Sequence, residues 1–186
     1  MISACSFKTP VGDLTVLATG IEDANQPGQS SEVDSLPTVV AAGFCPAADL
    51  WDRLPKDDDA ELAKVDNLGP LHQPIERYLN GDLAALDEVA VAQQGTNLQQ
   101  EVWQGLRQIP AGETRTYSQL AQSTSKPKAV RAVGSACGRN LIAPFVPCHR
   151  ALRSDGSLGG YYYGLDVKRW LLAHDSSSDQ LALDVS

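Results

Sequence analysis

One cysteine in this sequence has neighbours that suit a nucleophile. Cys148 follows the apolar run 141–146 and is followed directly by His149 and Arg150. A free thiol has a pKa of about 8.5, so only a few per cent of it is thiolate at neutral pH. A histidine that accepts the proton and a nearby guanidinium would both favour the thiolate. The alternative for Cys148 taken alone is a buried cysteine that closes a strand, because free cysteines are commonly buried.

The stretches around Cys148 resemble the O6-alkylguanine-DNA alkyltransferases, also called methylated-DNA–protein-cysteine methyltransferases. The similarity covers residues 95–175 closely and residues 1–94 only loosely. It rests on several motifs in the same order and with family-like spacing, namely Gly112-Glu113-Thr114-Arg115-Thr116-Tyr117, Arg131-Ala132-Val133-Gly134, Asn140, Pro147-Cys148-His149-Arg150 and Val167-Lys168-Arg169-Trp170-Leu171-Leu172-Ala173-His174.

This resemblance implies a reaction at Cys148. The thiol would displace guanine from an alkyl group on O6, an SN2 step at carbon, and keep the alkyl group as a thioether. His149 would act as the base through a water molecule, and Asp175 would orient the histidine. Relatives have a glutamate after the last histidine, so Asp175 is one methylene shorter. Nothing in the sequence suggests a way to regenerate the thiol, so each molecule should react once, without a cofactor.

The resemblance also implies how double-stranded DNA carrying O6-alkylguanine is bound from its minor groove. The target nucleotide must be flipped out of the stack. Arg131 would fill the vacated space, Tyr117 would crowd the target phosphate and protonate guanine N3, and Asn140 would be the hinge before the cysteine strand. Without the other motifs, these three residues would be a surface arginine, a core tyrosine and a loop-closing asparagine. Further DNA-binding positions would be Thr116, Ala129, Ala132, Gly134 and Arg139, and the substrate pocket would contain Val146, Pro147, Tyr161, Tyr162 and Tyr163.

The patterns predict an α/β (α+β) fold with a small N-terminal domain, residues 1–94, that holds a short antiparallel sheet. Residues 3–8 and 14–18 form a hairpin around a turn at 9–13, and residues 38–44 form a further strand. Helices are predicted over 60–65 and 72–80. A mobile polar loop is predicted for 21–36 and a frayed tail for 176–186.

Residues 95–175 are predicted to form a mostly helical domain. Helices are expected over 97–109, over 116–122 with Thr116 or Ser118 as its cap, over 127–137 with Pro127 at its first position, and over 166–174 with Asp166 as its cap. A short helix, a turn and a helix rich in small residues form a helix-turn-helix outline. The small residues suit either tight helix packing or close approach to a minor groove.

Charge and composition limit the classes of partner. The net charge is −8, but residues 1–94 hold 16 acidic against 5 basic side chains, whereas residues 95–175 hold 10 basic against 5 acidic ones. The C-terminal part therefore suits a phosphate backbone. The sequence has neither an apolar run of membrane-spanning length nor a signal peptide. Four scattered cysteines predict reduced thiols and a cytoplasmic location. Cys5, Cys45 and His72 could supply three ligands at most, and no metal is predicted.

Two departures from the family pattern concern the site. Relatives carry two prolines after the asparagine, whereas this chain has Asn140-Leu141-Ile142-Ala143 before Pro144, so the entering strand could run differently. Tyr162 and Tyr163 stand where relatives usually have serine and glycine, and two phenol rings there would narrow the pocket. A Cys-His hydrolase and a DNA-binding lesion sensor are the rival functions. We expect a monomer, with cooperative binding on DNA as an open alternative.

Overall fold

A four-stranded sheet is formed by strands from the first 64 residues. The computed structural model describes residues 1–21 and 36–176, so the predicted loop 21–36 and tail 176–186 fall almost wholly outside them. Strands β1 (Ile2–Thr9), β2 (Gly12–Thr19), β3 (Thr38–Gly43) and β4 (Leu62–Lys64) lie in the order β3-β2-β1-β4. β1 and β2 pair antiparallel from Ser3 opposite Ala18 to Thr9 opposite Gly12, which confirms the hairpin. β3 pairs antiparallel with β2, as expected for the further strand.

The helix predicted over 60–65 is wrong. These residues contain β4, which runs parallel to β1 with Ile2 opposite Leu62. The amide of Ile2 donates to the carbonyl of Glu61 at 2.8 Å, and the amide of Val65 donates to Ala4 at 2.9 Å. Six residues are too few for a helix stable on its own, whereas β1 offers a free edge with unpaired backbone groups. The sheet is therefore mixed and not purely antiparallel.

Within residues 1–21 and 36–176, six α-helices surround and follow the sheet. They are α1 (Ala47–Arg53), α2 (His72–Leu79), α3 (Asn97–Arg107), α4 (Tyr117–Gln122), α5 (Val130–Gly138) and α6 (Leu165–Ser176). A two-stranded parallel sheet joins β5 (Arg115–Thr116) to β6 (Ala151–Leu152), and 3-10 turns occupy Gly69–Leu71, Ala85–Glu88 and Cys148–Arg150. This mixture confirms the predicted fold class, while the division at residue 94 stays a prediction. In the ranges 1–21 and 36–176, no helix is long and apolar enough to cross a bilayer.

Local sequence explains where α3 and α4 begin. Thr96 and Thr116 each accept a hydrogen bond from the backbone three residues on, and Gln99 and Gln119 bond back to the capping residue. These are two capping boxes, which satisfy otherwise unpaired amides at a helix start. Thr116 is therefore the cap of α4, one of the two residues predicted for that position.

Two helix starts differ from the prediction. α5 begins at Val130 because residues 126–129 form a turn in which the amide of Ala129 donates to Lys126 at 2.9 Å, so Pro127 belongs to the turn. α6 begins at Leu165, so Asp166 lies within the first helical turn and does not cap it. There its carboxylate pairs with Arg169 at 2.7 Å and lies near the positive end of the helix.

The edge of β3 carries the segment that leads to the cysteine. The amide of Ala42 donates to Leu141 at 2.8 Å, and the amide of Ala143 donates back to Ala42 at 3.0 Å. Ile142 thereby forms a parallel bridge with Ala42, and both residues are fully buried. The segment without the family's two prolines thus continues the sheet of the N-terminal part.

Candidate active site

Cys148 opens the 3-10 turn after this segment and is nearly buried, with 9% of its surface exposed. Nδ2 of Asn140 lies 3.2 Å from its Sγ atom and can donate to it. Burial raises the pKa of the Cys148 thiol. The amide of Asn140, the positive charge of Lys168 and the hydroxyl of Tyr161 each act in the opposite direction, lowering that pKa. The surroundings therefore contain groups that favour the thiolate once a base removes the proton.

Three groups hold the side chain of Asn140 in addition to its contact with the thiol. Its Nδ2 also donates to the carbonyl of Val146 at 2.7 Å, while its Oδ1 accepts from the amide of Ile142 at 3.0 Å. Nε2 of Gln93 donates to the same Oδ1 at 3.1 Å, and Oε1 of Gln93 accepts from the amide of Leu141 at 3.0 Å. Sequence patterns missed Gln93, which lies in a linker without periodicity. The network fixes the direction in which Asn140 points.

His149 and Asp175 form a buried pair. Nε2 of His149 lies 2.9 Å from Oδ2 of Asp175. Because an ionised carboxylate can only accept, Nε2 carries the proton and Nδ1 is left with its lone pair. Among the residues that the structure describes, the buried Nδ1 has no hydrogen-bond partner. Burial lowers the pKa of His149, although Asp175 acts to raise it, so the ring is neutral and ready to accept a proton.

Arg150 holds the same carboxylate from its other side. Its Nε donates to Oδ2 of Asp175 at 2.7 Å and its Nη2 to Oδ1 at 3.2 Å, while Nη1 donates to the carbonyl of Ile109 at 2.6 Å. Burial alone would raise the pKa of Asp175, but the hydrogen bonds from His149 and Arg150 outweigh it and lower that pKa. The guanidinium thus serves the carboxylate and not the thiol.

Lys168 is a buried cation that the sequence patterns did not single out. Its Nζ donates to the carbonyls of Ala151, at 2.7 Å, and Leu158. Burial lowers the pKa of Lys168, and the charges of Cys148 and Cys137 oppose that effect. Lys168 precedes Leu171 by three residues and Asp175 by seven, so all three lie on the buried face of α6. This helical periodicity could have identified Lys168 as a buried residue.

The loop before α6 carries the three tyrosines assigned to the pocket. The hydroxyl oxygen of Tyr161 is buried, and burial together with the charge of Cys148 raises the pKa of Tyr161 well above its ordinary value. The hydroxyl of Tyr163 donates to the carbonyl of Ala42 at 3.3 Å. Tyr162 is 60% exposed, with the guanidinium of Arg53 above its ring. That these rings narrow the pocket stays a prediction.

The other two residues assigned to the pocket, Val146 and Pro147, directly precede Cys148, and Val146 is buried.

Tyr117 is the residue of α4 that approaches the thiol and the pocket loop. Its hydroxyl would lie 3.2 Å from a Cβ built on Gly159. Burial raises the pKa of Tyr117, and the charges of Cys137 and Cys148 add to that rise. Of the five residues predicted to be catalytic, Asn140 contacts Cys148 and Asp175 contacts His149, the residue after Cys148. The charge of Cys148 also acts on the pKa of the fifth, Tyr117, and the catalytic roles of all five stay predictions.

Three of the seven positions predicted to bind DNA, Arg131, Ala132 and Gly134, lie on α5, and two more, Ala129 and Arg139, flank its ends. Arg131, Ala132 and Arg139 are exposed, whereas Ala129 and Gly134 are half-buried. Trp103 of α3 fixes the opposite side of the helix, since its Nε1 donates to the carbonyl of Ala136 at 2.9 Å. The exposed face therefore has two arginines and small side chains between them.

All four cysteines are free. Across residues 1–21 and 36–176, no group of three or more histidine, cysteine, aspartate or glutamate side chains is placed to hold a metal ion. Cys5 instead donates to the carbonyl of Asp66 at 3.6 Å, and His72 lies 3.6 Å from Glu76.

Comparisons with known proteins identify the family of this chain. The family model described as "6-O-methylguanine DNA methyltransferase, DNA binding domain" matches residues 97–177. The methylated-DNA–protein-cysteine methyltransferase of Methanosarcina barkeri is 51% identical over 98 residues, which are 53% of this chain and 61% of that protein. The protein of the same name from Salmonella typhimurium is 44% identical over 115 residues, 62% of this chain and 67% of the relative.

Solved structures extend the match to the whole fold. The crystal structure of Mycobacterium tuberculosis O6-methylguanine methyltransferase superposes with a TM-score of 0.71 at 28% identity, covering 95% of this chain and 94% of the other. A structure of the Mycobacterium tuberculosis protein in complex with DNA gives a TM-score of 0.68 at 29% identity, covering 94% and 93%. The sequence matches span about two thirds of the curated relatives' length. The resemblance noted from the motifs is confirmed, and the chain belongs to the methylated-DNA–protein-cysteine methyltransferase family.

Proposed function

We propose that this protein repairs O6-alkylguanine in double-stranded DNA by moving the alkyl group, once and irreversibly, to Sγ of Cys148. The observation that carries the proposal is the pair of His149 and Asp175 next to a nearly buried thiol held by Asn140. Family membership and the DNA complex of a Mycobacterium tuberculosis relative support it.

The proton of the thiol passes through one water molecule to Nδ1 of His149, the ring nitrogen left unprotonated by the bond to Asp175. The ionised carboxylate then stabilises the imidazolium. The amide of Asn140 and the charge of Lys168 stabilise the thiolate. These groups make a soft nucleophile at neutral pH, where a free thiol is mostly protonated.

Transfer forms the bond between Sγ and the alkyl carbon as the bond from that carbon to O6 breaks, and the electron pair leaves with the base. Tyr117 donates a proton to N3 of the departing guanine. It regains a proton, through solvent, from the imidazolium of His149. The product is a thioether without a good leaving group. Since nothing reverses this step, each molecule acts once.

The exposed face of α5 enters the minor groove in this proposal. A Cβ added to Gly134 would meet nothing within 4 Å in the described part of the chain, so packing does not demand a glycine there. Close approach to DNA does explain small side chains at Gly134 and Ala132. Arg131 fills the gap left in the base stack when the target nucleotide is flipped out. Arg139 and the helix cap Thr116 contact the sugar-phosphate backbone of the DNA.

Intact-mass measurement after incubation with O6-methylguanine duplex DNA tests the proposal. The expected result is a permanent gain of one methylene group, mapped by peptide analysis to Cys148 and missing in Cys148→Ser. Turnover without an adduct would favour a Cys-His hydrolase, and binding without an adduct would favour a lesion sensor. We expect a monomer on DNA, in the reducing cytoplasm that keeps thiols free. Titration of duplex DNA with the protein tests whether binding is cooperative.

A further inference from the structure

A glycine in β3 receives one tyrosine of the pocket loop. A Cβ built on Gly43 would lie 2.7 Å from Cε1 of Tyr163 and closer still to its Cζ and hydroxyl oxygen. Real Cβ atoms essentially never come within 3.0 Å of such atoms, so no larger residue fits while the ring stays in place. The hydroxyl also donates to the carbonyl of Ala42 at 3.3 Å. Gly43 therefore forms a notch that Tyr163 fills.

An arginine at the end of α1 holds the neighbouring tyrosine. Cζ of Arg53 lies 3.8 Å from the ring centroid of Tyr162, a distance typical of a cation–π contact. Nη1 of Arg53 is buried and has no hydrogen-bond partner among residues 1–21 and 36–176. Burial raises the pKa of Tyr163, and the charge of Arg53 acts to lower it, so the guanidinium lies close to both rings.

Tyr163 and Tyr161 link these rings to the nucleophile. The ring centroids of Tyr162 and Tyr163 are 5.1 Å apart, and those of Tyr161 and Tyr163 are 5.8 Å apart, each pair in an edge-on arrangement. The hydroxyl of Tyr161 lowers the pKa of the Cys148 thiol. A displacement of Tyr163 from its notch would therefore move the wall of the site beside Cys148.

We propose that Gly43 and Arg53 are positioning residues that set the size of the alkyl group accepted at Cys148. They hold the rings of Tyr163 and Tyr162 against β3 and α1. In this proposal the rings do not narrow the pocket as the sequence led us to expect, and the space that a large alkyl group needs stays open. Because a displaced phenol ring excludes another ring by steric overlap, a benzyl group is affected far more than a methyl group. The inference rests on the proposed transfer to Cys148 and gives the N-terminal part a role in it.

Rates of alkyl transfer to Cys148 from O6-methylguanine DNA and from free O6-benzylguanine test this role. In Gly43→Ala the added methyl group displaces Tyr163, and we expect the benzyl rate to fall at least about tenfold more than the methyl rate. Arg53→Ala should produce a smaller difference in the same direction. Adding Tyr163→Ser to Gly43→Ala removes the ring and should restore the benzyl rate. Lys56→Ala is the matched control, because it removes a nearby cation that lies 4.9 Å from the Trp51 ring instead.

Equal losses on both substrates, unchanged rates or failure of the rescue would overturn the proposal. Hydrogen exchange of the 159–165 amides in unreacted protein gives a readout independent of transfer, and both variants should exchange faster than wild type and Lys56→Ala. If wild-type Cys148 takes up no alkyl group from either substrate, the proposed function has failed and the size role with it. If wild type reacts but Arg53→Ala behaves as Lys56→Ala in both assays, only the positioning role is lost. That variant keeps the test valid should Gly43→Ala not fold.

Discussion

Nε2 of His149 lies 2.9 Å from Oδ2 of Asp175, and both side chains are buried. The resemblance of the motifs implies a longer glutamate at this position, yet the aspartate reaches the ring. It can do so because α6 continues to Ser176 and keeps Asp175 on the same buried face as Leu171. Arg150 fixes the carboxylate from the other side with two hydrogen bonds. One methylene fewer therefore leaves the pair intact.

We expect Asp175→Asn to slow alkyl transfer and to destabilise the fold. The amide cannot stabilise the imidazolium, and it leaves the buried Arg150 without a counter-charge, a loss of about 3–5 kcal/mol in the free energy of unfolding. Single-turnover rates and urea unfolding measure both effects. Asp166→Asn is the control, since its exposed pair with Arg169 should contribute at most about 1 kcal/mol. A stable Asp175→Asn protein with wild-type rates would contradict this role.

Stability should fall as the pH drops from 7 to 5. Burial lowers the pKa of His149 in the folded state, so the unfolded chain binds a proton there that the folded protein does not. The free energy of unfolding therefore rises with pH up to the pKa of an unfolded histidine, about 6.5. The whole contribution of His149 to stability is present above that pH. His149→Gln should flatten this slope in urea unfolding at a series of pH values. An equally steep slope in that variant would assign the effect to other groups.

The lowered pKa of Asp175 acts in a more acidic window. The contribution of the ionised carboxylate to the free energy of unfolding is present above the pKa of an unfolded aspartate, about 3.9. It is lost as the pH falls through the lower pKa that Asp175 has in the folded protein. Asp175→Asn should therefore lose the part of the acid transition that wild type shows below about pH 4. Acid titration of the two proteins by circular dichroism distinguishes them, and identical curves would refute the assignment.

Gly134 offers a variant that separates DNA approach from folding. Gly134→Leu should fold normally, because a Cβ there meets no described atom within 4 Å and leucine favours the helix by about 0.5–1 kcal/mol over glycine. Its bulk should weaken duplex binding and slow transfer from methylated DNA, while transfer from free O6-benzylguanine stays at the wild-type rate. Gly138→Leu, with equally open surroundings, is the comparison at the end of the helix. Unimpaired duplex binding by Gly134→Leu would mean that another face meets DNA.

The sequence was sufficient for features carried by local motifs. Cys148 with His149 and the cap at Thr116 follow from neighbouring residues, and the pairing partner Asp175 came from the family pattern. Contacts between distant parts of the chain were out of reach. Gln93 reaches Asn140 across 47 residues, and Tyr163 reaches Ala42 across 121, with no periodicity that signals either contact. The helix prediction for residues 60–65 fails for the same reason, because pairing of β4 with β1 overrides a weak local preference.

Arg131→Ala should weaken duplex binding and slow repair of methylated DNA more than it slows reaction with free O6-benzylguanine. Arg131 is exposed on α5, and a stack-filling side chain matters only when a base must be held out of a duplex. Comparing the two rates, with Arg169→Ala as an exposed arginine on α6, measures this selectivity. Equal losses on both substrates would place Arg131 in the pocket instead.

Lys168→Met should raise the pKa of the Cys148 thiol and slow transfer from both substrates. The buried ammonium is the cation whose charge lowers that pKa, and methionine keeps a similar length without charge. The variant also leaves the carbonyls of Ala151 and Leu158 without their donor, which costs about 1–3 kcal/mol of stability per buried group.

The absorbance of the Cys148 thiolate, followed against pH in a protein whose Cys5, Cys45 and Cys137 are replaced by serine, separates the electrostatic effect from simple destabilisation. Arg169→Met removes the next charge on α6, which is exposed and paired with Asp166, and should leave the titration unchanged. Lys168→Arg should retain part of the effect, because it keeps the positive charge at this position. If Lys168→Met lost stability but titrated at the wild-type pH, the lysine would fasten the loop to β6 and would not assist the nucleophile.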